Sequence, residues 1–586
     1  MSITTITSKT IIDAEEHFRI FAGPGAGKTY WLVNHMRHLL QNSSRLGAAK
    51  KVACITYTNV AVETIEKRLQ FGADRIEVST IHGFLYNNVV KPFIGNIADE
   101  FGFNAVKMDG HEEHRASRSK IVQWLDNHTN VARLKNPYTL NQLKKLPQYI
   151  PAIANWLSTT DYKLRGDEIF TNIDNSKAYY IKPNGQRQNI SKAKCLDILS
   201  SDLISYKKLF WVRGILHHED ILYFSYILLT RYPFIIEVLK TKYPYFFIDE
   251  FQDTSPIQAR ILHLIGASGT VTGIIGDEAQ SIYSFQGADP AQFKGYQLEG
   301  LKDYRIIDNR RSTNEIVGVL NHVRRDMGQE PLRDVPGERC NLLIGNHRLA
   351  TEYAKKICGE NLTILSWDNL TARELRSNMT ADRPETNLLE ELSVIDNSER
   401  RNAVVSCLRT IEFAKEKRFK DAMKEIQFNY LHIKNKDERK AMALQDLFSL
   451  LSKYEEYKEL PFFAFYSLVR GNIRDNFPQL TRGKTKEFYD THSYQQIAVC
   501  LRIDDERSPS KTIHKSKGDE FDNVLVVLKK EEHCDFLVKQ TLRQEEHRLF
   551  YVAASRARER LFISVPSLGI EKLRTIEHLF EVNHLE

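Results

Sequence analysis

Residues 23–29, which read GPGAGKT, constrain this chain more than any other segment. They follow a short apolar run at 19–22 and precede a stretch whose apolar residues have helical spacing. A strand, a glycine-rich turn and a helix in this order are typical of a phosphate-binding P-loop. Ala22 stands where the common pattern begins with glycine, and an ordinary glycine-rich turn is the alternative interpretation.

The chemistry of a P-loop assigns a role to each residue type in it. Glycines let successive backbone N–H groups face the phosphates, and the following helix end adds a favourable dipole. We expect Lys28 to reach the β- and γ-phosphates and the Thr29 hydroxyl to bind Mg²⁺. The expected nucleotide-binding residues are Gly23, Gly25, Ala26, Gly27, Lys28 and Thr29.

A second apolar run, 245–249, ends in the acidic pair Asp249 and Glu250. A carboxylate at a strand end beside a P-loop can hold Mg²⁺, usually through water. We therefore expect Asp249 to bind the metal and Glu250 to orient and deprotonate the attacking water. A solvated acidic strand end is the alternative, and the P-loop makes the catalytic interpretation the better one.

The chain has 586 residues, which is too long for one core, since single cores stop growing near ~250–300 residues. Short apolar runs alternate with helical patterns, which indicates parallel sheets covered on both faces. Two α/β domains follow from the early and late sets of runs. The eight predicted strands are 19–22, 51–56, 245–249, 271–276, 304–308, 362–367, 523–528 and 561–565.

Two stretches without this rhythm, 93–235 and 386–494, are predicted to be mainly helical insertions into the α/β domains. Apolar residues within 413–440 fall at roughly helical spacing. We expect 42–50 and 502–510 to be exposed loops. The predicted domains are 1–92 with 236–300, its insertion 93–235, then 301–385 with 495–586, and its insertion 386–494.

The cysteines, the amino terminus and the charge exclude several classes. Seven scattered cysteines include no CxxC pair, which favours a reduced, cytoplasmic protein without structural metal. The first residues have no signal-peptide pattern, and no apolar run approaches the ~20 residues of a membrane span. The net charge of +7 is small for this length and does not by itself identify a nucleic-acid partner.

Further motifs follow the P-loop in a fixed order. They extend from residue 20 to 565, whereas the two insertions carry none. The segments are TYTNVA at 56–61, TIHGF at 80–84, DEFQDTSPIQ at 249–258, GDEAQSIYSFQG at 276–287, NRRS at 309–312, TIHKSKGDEF at 512–521 and YVAASRA at 551–557. In this order they resemble the motifs of UvrD/Rep/PcrA-type superfamily 1 DNA helicases.

The resemblance implies two RecA-like P-loop NTPase domains with ATP and Mg²⁺ between them, each domain carrying its mainly helical insertion. It implies that Gln280 contacts the γ-phosphate and that Arg311 and Arg556 act on it as arginine fingers. Glu520 would hold the ribose. Arg310 stands where the family has a tyrosine that stacks on adenine.

The resemblance also implies a track for single-stranded DNA. Tyr57, Tyr283 and Phe285 occupy the positions whose rings stack on bases, and core packing is the alternative for each ring. Hydroxyl, amide and imidazole groups would bind phosphates or sugars without reading the sequence. These residues are Thr56, Asn59, Thr80, His82, Thr512 and His514.

Three residues depart from the family pattern. The chain has no glutamine before Gln41, so the glutamine that reads adenine ahead of the P-loop is missing. Arg310 replaces the adenine-stacking tyrosine, and Gln286 replaces an arginine near the DNA. The first two changes leave the selection of adenine open, with ATP as the favoured nucleotide, and the third removes a cation near the DNA.

The motifs predict an ATP-dependent DNA translocase and helicase that moves 3′ to 5′ on single-stranded or tailed duplex DNA. The alternative is a DNA-sensing regulatory ATPase subunit of a nuclease complex with little unwinding of its own. The insertions resemble those of compact UvrD-like helicases encoded beside an OLD-family nuclease in phage-defence loci, such as the Gabija type. DNA repair and phage defence both remain open, whereas an inactive P-loop protein is disfavoured because every required acid, lysine and arginine is present.

Overall fold

A computed structural model describes the chain from residue 3 to residue 585 with several internal gaps. The chain divides into two compact units. The first comprises Met1–Tyr180, Asn189–Asn346 and Ser516–Glu586, and the second Ile181–Gln188 and His347–Lys515. The residues outside the description within this span are 70–71, 109, 111–117, 131, 133–140, 142, 145–148, 182–186, 191–192, 369–370, 373–386, 397–398, 416–417, 431–432, 434, 474–478 and 502–508.

The first unit contains a parallel sheet of seven strands. Its central strands, such as Val271–Gly276, are buried along their whole length, which explains their continuous apolar sequence. The strand order across the sheet is Thr4–Ile6, Lys302–Ile306, Phe18–Ala22, Val271–Gly276, Tyr245–Ile248, Val52–Thr56 and Ile76–Thr80.

Four further parallel strands of the first unit form a second sheet. They lie in the order Phe521–Val527, Ala557–Val565, Cys340–Gly345 and Phe580–Leu585. A separate short parallel pair joins Asp308–Asn309 to Glu330–Pro331, and it fixes the backbone just before residues 310–312.

Strands form at all eight predicted runs, which confirms the α/β class. Lys302–Ile306 pairs with Phe18–Ala22 in the first sheet, whereas we predicted residues after 300 for the second domain. The prediction missed Thr4–Ile6, Ile76–Thr80, Cys340–Gly345, Ser510–Thr512 and Phe580–Leu585. Several of the missed strands lie at a sheet edge, where a strand needs no continuous apolar run. Ile76–Thr80, for example, is paired on one side only and has one fully buried residue.

The helices of the first unit flank these sheets and build most of the segment predicted as the first insertion. That segment, which we predicted to be mainly helical, also contains an antiparallel hairpin, Asp161–Arg165 with Glu168–Asn172. Gly166, at φ +61°, makes its turn. The helices are Lys28–Asn42, Asn59–Leu69, Ile81–Leu85, Lys91–Phe93, Ala98–Phe101, Arg118–Asn127, Tyr149–Leu157, Ala193–Ser200, Leu203–Trp211, His218–Arg231, Phe234–Lys242, Pro256–Ala267, Ala291–Gly295, Asn314–Val323, Asp535–Val538, Glu545–Ala554 and Ile570–Ile576.

The second unit is mainly helical around its own apolar core. Its strands Leu362–Ser366 and Ser510–Thr512 pair in parallel. The helices are His347–Cys358, Leu388–Ile395, Glu399–Lys415, Phe419–Ile426, Lys436–Ser452, Tyr454–Tyr457, Phe462–Asn472, Lys484–Thr491 and Tyr494–Ala498.

The periodic stretch 413–440 is not one helix. It belongs to Glu399–Lys415, Phe419–Ile426 and Lys436–Ser452, and the Asn435 side chain caps the start of the last of these. Residues 44–49 form turns within the loop predicted at 42–50, although Leu46 is buried within them. Most of the predicted loop 502–510 and the predicted boundary at 385 lie outside the described residues.

Among the described helices none is both long and apolar enough to cross a membrane alone. His218–Arg231 and Phe234–Lys242 meet the length and composition criteria only as a pair, and they are bent by 105°.

Candidate nucleotide and DNA site

The P-loop forms as its sequence predicts, between the strand Phe18–Ala22 and the helix Lys28–Asn42. Gly25 and Gly27 have φ values of +72° and +80°, which residues with a Cβ rarely adopt. The first turn of the helix contains no acidic residue, so its positive end is not neutralised locally. The loop therefore offers backbone N–H groups and a helix dipole to an anion.

A second reason for glycine at position 25 appears only in three dimensions. A Cβ there would lie 2.7 Å from Asn309 Oδ1 and 2.9 Å from Arg311 Cβ. The Arg310 N–H also donates a hydrogen bond to the Gly25 carbonyl at 2.8 Å. The NRRS segment thus packs directly on the P-loop, and a larger residue at 25 would separate them.

The acidic pair lies beside the P-loop lysine and threonine. Lys28 Nζ is 3.1 Å from Glu250 Oε2, and Thr29 Oγ1 donates to Asp249 Oδ2 at 3.5 Å. Glu250 has a φ of +57°, one of three positive values among the described non-glycine residues. Its strained backbone directs its N–H to Asp249 Oδ1 at 3.0 Å. The two carboxylates therefore have different partners and can serve different functions.

The two acids have opposite pKa shifts. Burial raises the pKa of Asp249, and the neighbouring Glu250 charge raises it further. Burial also opposes ionisation of Glu250, but Lys28 and Lys517 outweigh it and lower the pKa of Glu250. Glu250 is thus an ionised acceptor, whereas Asp249 forms no ion pair of its own within the described part of the chain.

Mg²⁺ and a nucleotide triphosphate fit this arrangement of charges. A divalent cation beside Thr29 Oγ1 and Asp249 Oδ2 would supply the missing positive charge, with oxygen ligands that Mg²⁺ prefers. No cluster of three or more His, Cys, Asp or Glu side chains in the described part of the chain forms a metal site by itself. Phosphate oxygens and water would therefore complete such a magnesium site.

A cavity of 370 Å³ opens over the P-loop. Sixteen of the predicted site residues line it, which brings the nucleotide candidates and part of the DNA track together. They are Gly23, Gly25, Ala26, Gly27, Lys28, Thr29, Thr56, Tyr57, Asp249, Glu250, Gln280, Tyr283, Arg310, Arg311, Glu520 and Arg556.

Arg311 and Arg556 both reach the cavity, where protein groups hold their guanidinium groups. Arg311 donates to the Ser555 carbonyl and to Glu520 Oε1, each at 2.8 Å. Arg556 donates to Gln280 Oε1 at 3.2 Å and to Ser555 Oγ at 3.0 Å. Burial and the nearby Arg311 lower the pKa of Arg556 to about 9. An anion in the cavity would relieve this repulsion between two buried cations.

Arg310 has an environment that its sequence position did not predict. Its guanidinium carbon lies 4.7 Å from the ring centroid of Tyr30, which follows the P-loop threonine directly. Its Nε donates to Ser8 Oγ at 2.8 Å, and Ser8 Oγ donates to Asp308 Oδ2 at 2.7 Å. The cation therefore stacks on an aromatic ring at the cavity wall.

The predicted base-stacking rings lie together. Tyr57 and Tyr283 stack with centroids 4.8 Å apart and planes 18° apart. Phe285 meets Tyr283 edge-on at 6.0 Å and is 67% exposed. Tyr57 OH donates to Gln286 Oε1, so the residue that replaces the family arginine fixes this ring. Core packing explains Tyr283 only in part, since it also lines the cavity.

The remaining predicted DNA residues are less concentrated. Thr56 is buried at the end of its strand, and Asn59 is exposed at the start of the helix Asn59–Leu69. Thr80 Oγ1 accepts a hydrogen bond from the Gly83 N–H at 3.2 Å, so this hydroxyl caps a helix. The His82 ring lies 5.7 Å from that of His218. These residues do not line the cavity, apart from Thr56.

Thr512 and His514 belong to the second unit. Thr512 is buried at the end of the strand Ser510–Thr512, and His514 begins a short 3₁₀ helix. The backbone N–H of Ile513, between them, donates to the Ser366 carbonyl at 2.9 Å. This local pairing holds the segment against the strand Leu362–Ser366.

Sequence reasoning did not assign roles to Lys517 and Asp253. Lys517 Nζ pairs with Asp253 Oδ2, donates to the Gln280 carbonyl at 2.8 Å, and lies 4.6 Å from the ring centroid of Tyr283. Burial raises the pKa of Asp253 to about 6, against the effect of Lys517 and with a further contribution from Glu250. Both residues lie within the recognised motifs, and their positions in these motifs were the signal that could have identified them.

Parallel sheets bearing a P-loop, with an acid pair at the end of a neighbouring strand, define a RecA-like P-loop NTPase fold. The chain belongs to the UvrD/REP helicase family. The UvrD/REP helicase N-terminal domain matches residues 4–298, and the UvrD-like helicase C-terminal domain matches residues 299–567. These matches confirm the family that the ordered motifs indicated.

Several curated proteins are similar to this chain at low identity. Gabija protein GajB of Bacillus cereus (strain HuB5-5) is 25% identical over 346 residues, covering 54% of this chain and 48% of GajB. The putative ATP-dependent DNA helicase YjcD of Bacillus subtilis (strain 168) is 21% identical over 657 residues, covering 97% of this chain and 79% of YjcD. ATP-dependent DNA helicase Rep of Escherichia coli (strain K12) is 25% identical over 313 residues, covering 52% of this chain and 40% of Rep. The chain thus spans about half of GajB and less of Rep.

Proposed function

We propose that this protein is an ATP-dependent DNA translocase and helicase that moves 3′ to 5′ along single-stranded DNA. One observation carries the proposal. Lys517 pairs with Asp253 beside the acid pair and also lies over the ring of Tyr283 in the aromatic stack. A change in charge at the nucleotide therefore acts through one side chain on the rings that would hold a base.

The nucleotide-binding residues divide the hydrolytic work. Lys28 would leave Glu250 to bind the β- and γ-phosphates, and Glu250, then freed, would orient and deprotonate the attacking water. Thr29 and Asp249 would hold Mg²⁺, which neutralises charge on the phosphates. Arg311 and Arg556 would turn from Glu520 and Gln280 to the transferring phosphoryl group. Exchange of these partners would link hydrolysis to motion in the protein.

The DNA-binding residues would provide tracking without sequence readout. Bases would stack on Tyr57, Tyr283 and the exposed Phe285, and each stacked base contributes about 1–3 kcal/mol. The groups proposed to bind phosphates or sugars are Thr56, Asn59, Thr80, His82, Thr512 and His514. Single-stranded DNA and tailed duplexes are the substrates we propose.

A test measures ATP hydrolysis with Mg²⁺ in the presence and absence of single-stranded DNA, followed by strand displacement on 3′-tailed and 5′-tailed duplexes. DNA should stimulate hydrolysis, and unwinding should require the 3′ tail. A Lys28→Ala variant is the control for contaminating activity. Hydrolysis that ignores DNA, or unwinding that requires a 5′ tail, contradicts the proposal.

The similarity to GajB favours a second candidate, in which the chain is a DNA-sensing regulatory ATPase subunit working in phage defence with an OLD-family nuclease. We place either activity in the cytoplasm, where all seven cysteines can remain the free thiols that the fold contains. Copurification of the native protein with identification of bound chains tests the partner. Robust unwinding by the isolated protein would exclude the regulatory candidate.

A further inference from the structure

Arg324 ends the helix Asn314–Val323 and lies outside every recognised motif. Its side chain is 12% exposed, and its Nη1 donates to Asp277 Oδ1 at 2.7 Å. Nε and Nη2 of the same guanidinium donate to Asp326 at 2.8 Å and 3.1 Å. The guanidinium is therefore held in one orientation by two carboxylates.

Asp277 passes this constraint to Gln280. The Asp277 side chain is 1% exposed, and its Oδ2 accepts a hydrogen bond from Gln280 Nε2 at 2.8 Å. Gln280 Oε1 accepts in turn from Arg556 Nη2 at 3.2 Å. The chain Arg324, Asp277, Gln280, Arg556 thus fixes which end of the Gln280 amide points towards the arginine.

Arg324 also supplies the charge that a buried carboxylate requires. Burial alone would lower the pKa of Arg324, but Asp277 raises it, with smaller contributions from Tyr551 and Asp326. Without Arg324, the buried Asp277 carboxylate would keep Gln280 as its side-chain partner among the described residues. The Gln280 amide would then be bound more tightly to Asp277 and less available to its other partner.

We propose that Arg324 is a positioning residue that, through Asp277, sets the orientation of Gln280 against Arg556 and so controls nucleotide hydrolysis. The proposal rests on the proposed ATPase activity. The proposal adds to the residues that act on hydrolysis one that is far in sequence from Gln280 and from the P-loop. Arg311 lies three residues before the helix Asn314–Val323 and Arg324 directly follows it, so this one element links the cavity-lining Arg311 to Arg324.

The test compares steady-state hydrolysis by Arg324→Gln, Gln280→Ala and the double variant. Arg324→Gln should lower kcat about 10- to 100-fold, as small misplacements of catalytic groups do, with KM for ATP little changed. In the Gln280→Ala background, Arg324→Gln should lower kcat no further, because it acts through Gln280. The proposal would be overturned if Arg324→Gln lowers kcat by the same factor with and without Gln280→Ala. It would also be overturned if Arg324→Gln alone leaves kcat unchanged.

Arg400 offers a matched control for stability. Its side chain is 16% exposed and bonds Asp396, which is 3% exposed, in the second unit. Arg400→Gln should lower the thermal midpoint by an amount similar to Arg324→Gln while leaving kcat unchanged. Equal losses of kcat in the two variants would assign Arg324 a structural role only and overturn the proposal.

Further variants keep the test decisive. Arg324→Lys retains a cation for Asp277 and should recover part of the lost kcat. If Arg324→Gln does not fold, Asp277→Asn replaces it in the comparison with Gln280→Ala. Adding Asp277→Asn to Gln280→Ala should then lower kcat no further, and a further loss of kcat would overturn the proposal. A wild-type protein without ATPase activity refutes the proposed function itself, whereas an active wild type with a fully active Arg324→Gln refutes only this inference.

Discussion

The rings of Tyr57 and Tyr283 stack face to face, with centroids 4.8 Å apart and planes 18° apart, although the strands that precede them are far apart in sequence. Lys517 lies over Tyr283, and Gln286 bonds the hydroxyl of Tyr57. The two rings thus cover each other. A base that enters the track must replace this contact with a stack of its own.

Tyr283→Ala should weaken binding of single-stranded DNA by about 1–3 kcal/mol, or roughly 5- to 150-fold, because one stacking face is lost. Fluorescence anisotropy with a labelled oligothymidine measures the affinity. Phe234→Ala is the control, since Phe234 is 50% exposed and its ring contacts Phe93 and Tyr232 rather than the Tyr57–Tyr283 stack. Equal affinities for wild type and Tyr283→Ala would remove this ring from the DNA site.

Glu250→Gln should retain nucleotide binding and lower turnover by about 10²–10⁴-fold, the usual contribution of a general base. The variant also frees Lys28 from its carboxylate partner, so affinity for ATP should not fall. A fluorescent ATP analogue reports binding, and phosphate release reports turnover. Glu278→Gln is the matched control, since Glu278 pairs with Lys294 at 2.7 Å and has similar exposure. Turnover near the wild-type value in Glu250→Gln would exclude Glu250 as the base.

Gly25→Ala should abolish nucleotide binding, because its Cβ would meet Asn309 and Arg311 at less than van der Waals separation. Gly47→Ala is the control for backbone strain without a clash, since Gly47 has a φ of +49° and open space around it. Both substitutions should cost about 1 kcal/mol in strain, and only the first should prevent binding. Titration calorimetry with ATP measures the difference, and full binding by Gly25→Ala contradicts the close packing.

GTP should support hydrolysis with kcat/KM within about tenfold of ATP. Discrimination of 10⁴–10⁵ requires hydrogen bonds to the edge of the ligand, whereas Arg310 and Tyr30 offer a stacking face. Ser8 Oγ is occupied by Arg310 and Asp308. Kinetics with both nucleotides test this, and a preference for ATP above about 1,000-fold would require an adenine-reading group that these contacts do not provide.

Asp446→Asn should stabilise the second unit above pH 6. Burial raises the pKa of Asp446 to about 6, and its Oδ2 has no hydrogen-bond partner among the described residues. Because the folded pKa lies above the unfolded value, ionisation disfavours the folded wild type increasingly as pH rises from 4 to 6. The variant should gain about 1 kcal/mol, or about 2–4 °C, at pH 7.5 and nothing near pH 4. Thermal unfolding at both pH values measures this, and a gain that is the same at both excludes titration of Asp446.

The sequence predicted the local structure of the P-loop and of the acidic strand end well, because the signals for both are local. Strand, loop and helix occur within the segment 19–42, and the acid pair follows its strand directly. Helix boundaries in the second insertion were less predictable, since the apolar spacing of 413–440 extends over parts of three separate helices. The edge strand Thr4–Ile6 was missed because it is paired on one side and needs no long apolar run.

The sequence by itself determined the family, the parallel α/β class and the strand–loop–helix order of the P-loop, because each of these depends on residue types at short, fixed spacing. Only the tertiary structure decided that Arg310 stacks on Tyr30, that Lys517 joins Asp253 to Tyr283, and that Arg324 reaches Gln280 through Asp277. These contacts join segments distant in sequence, and their geometry follows from how helices and strands pack. No local periodicity encodes which buried charge will meet which partner, so the connections between the motifs appear only in the folded protein.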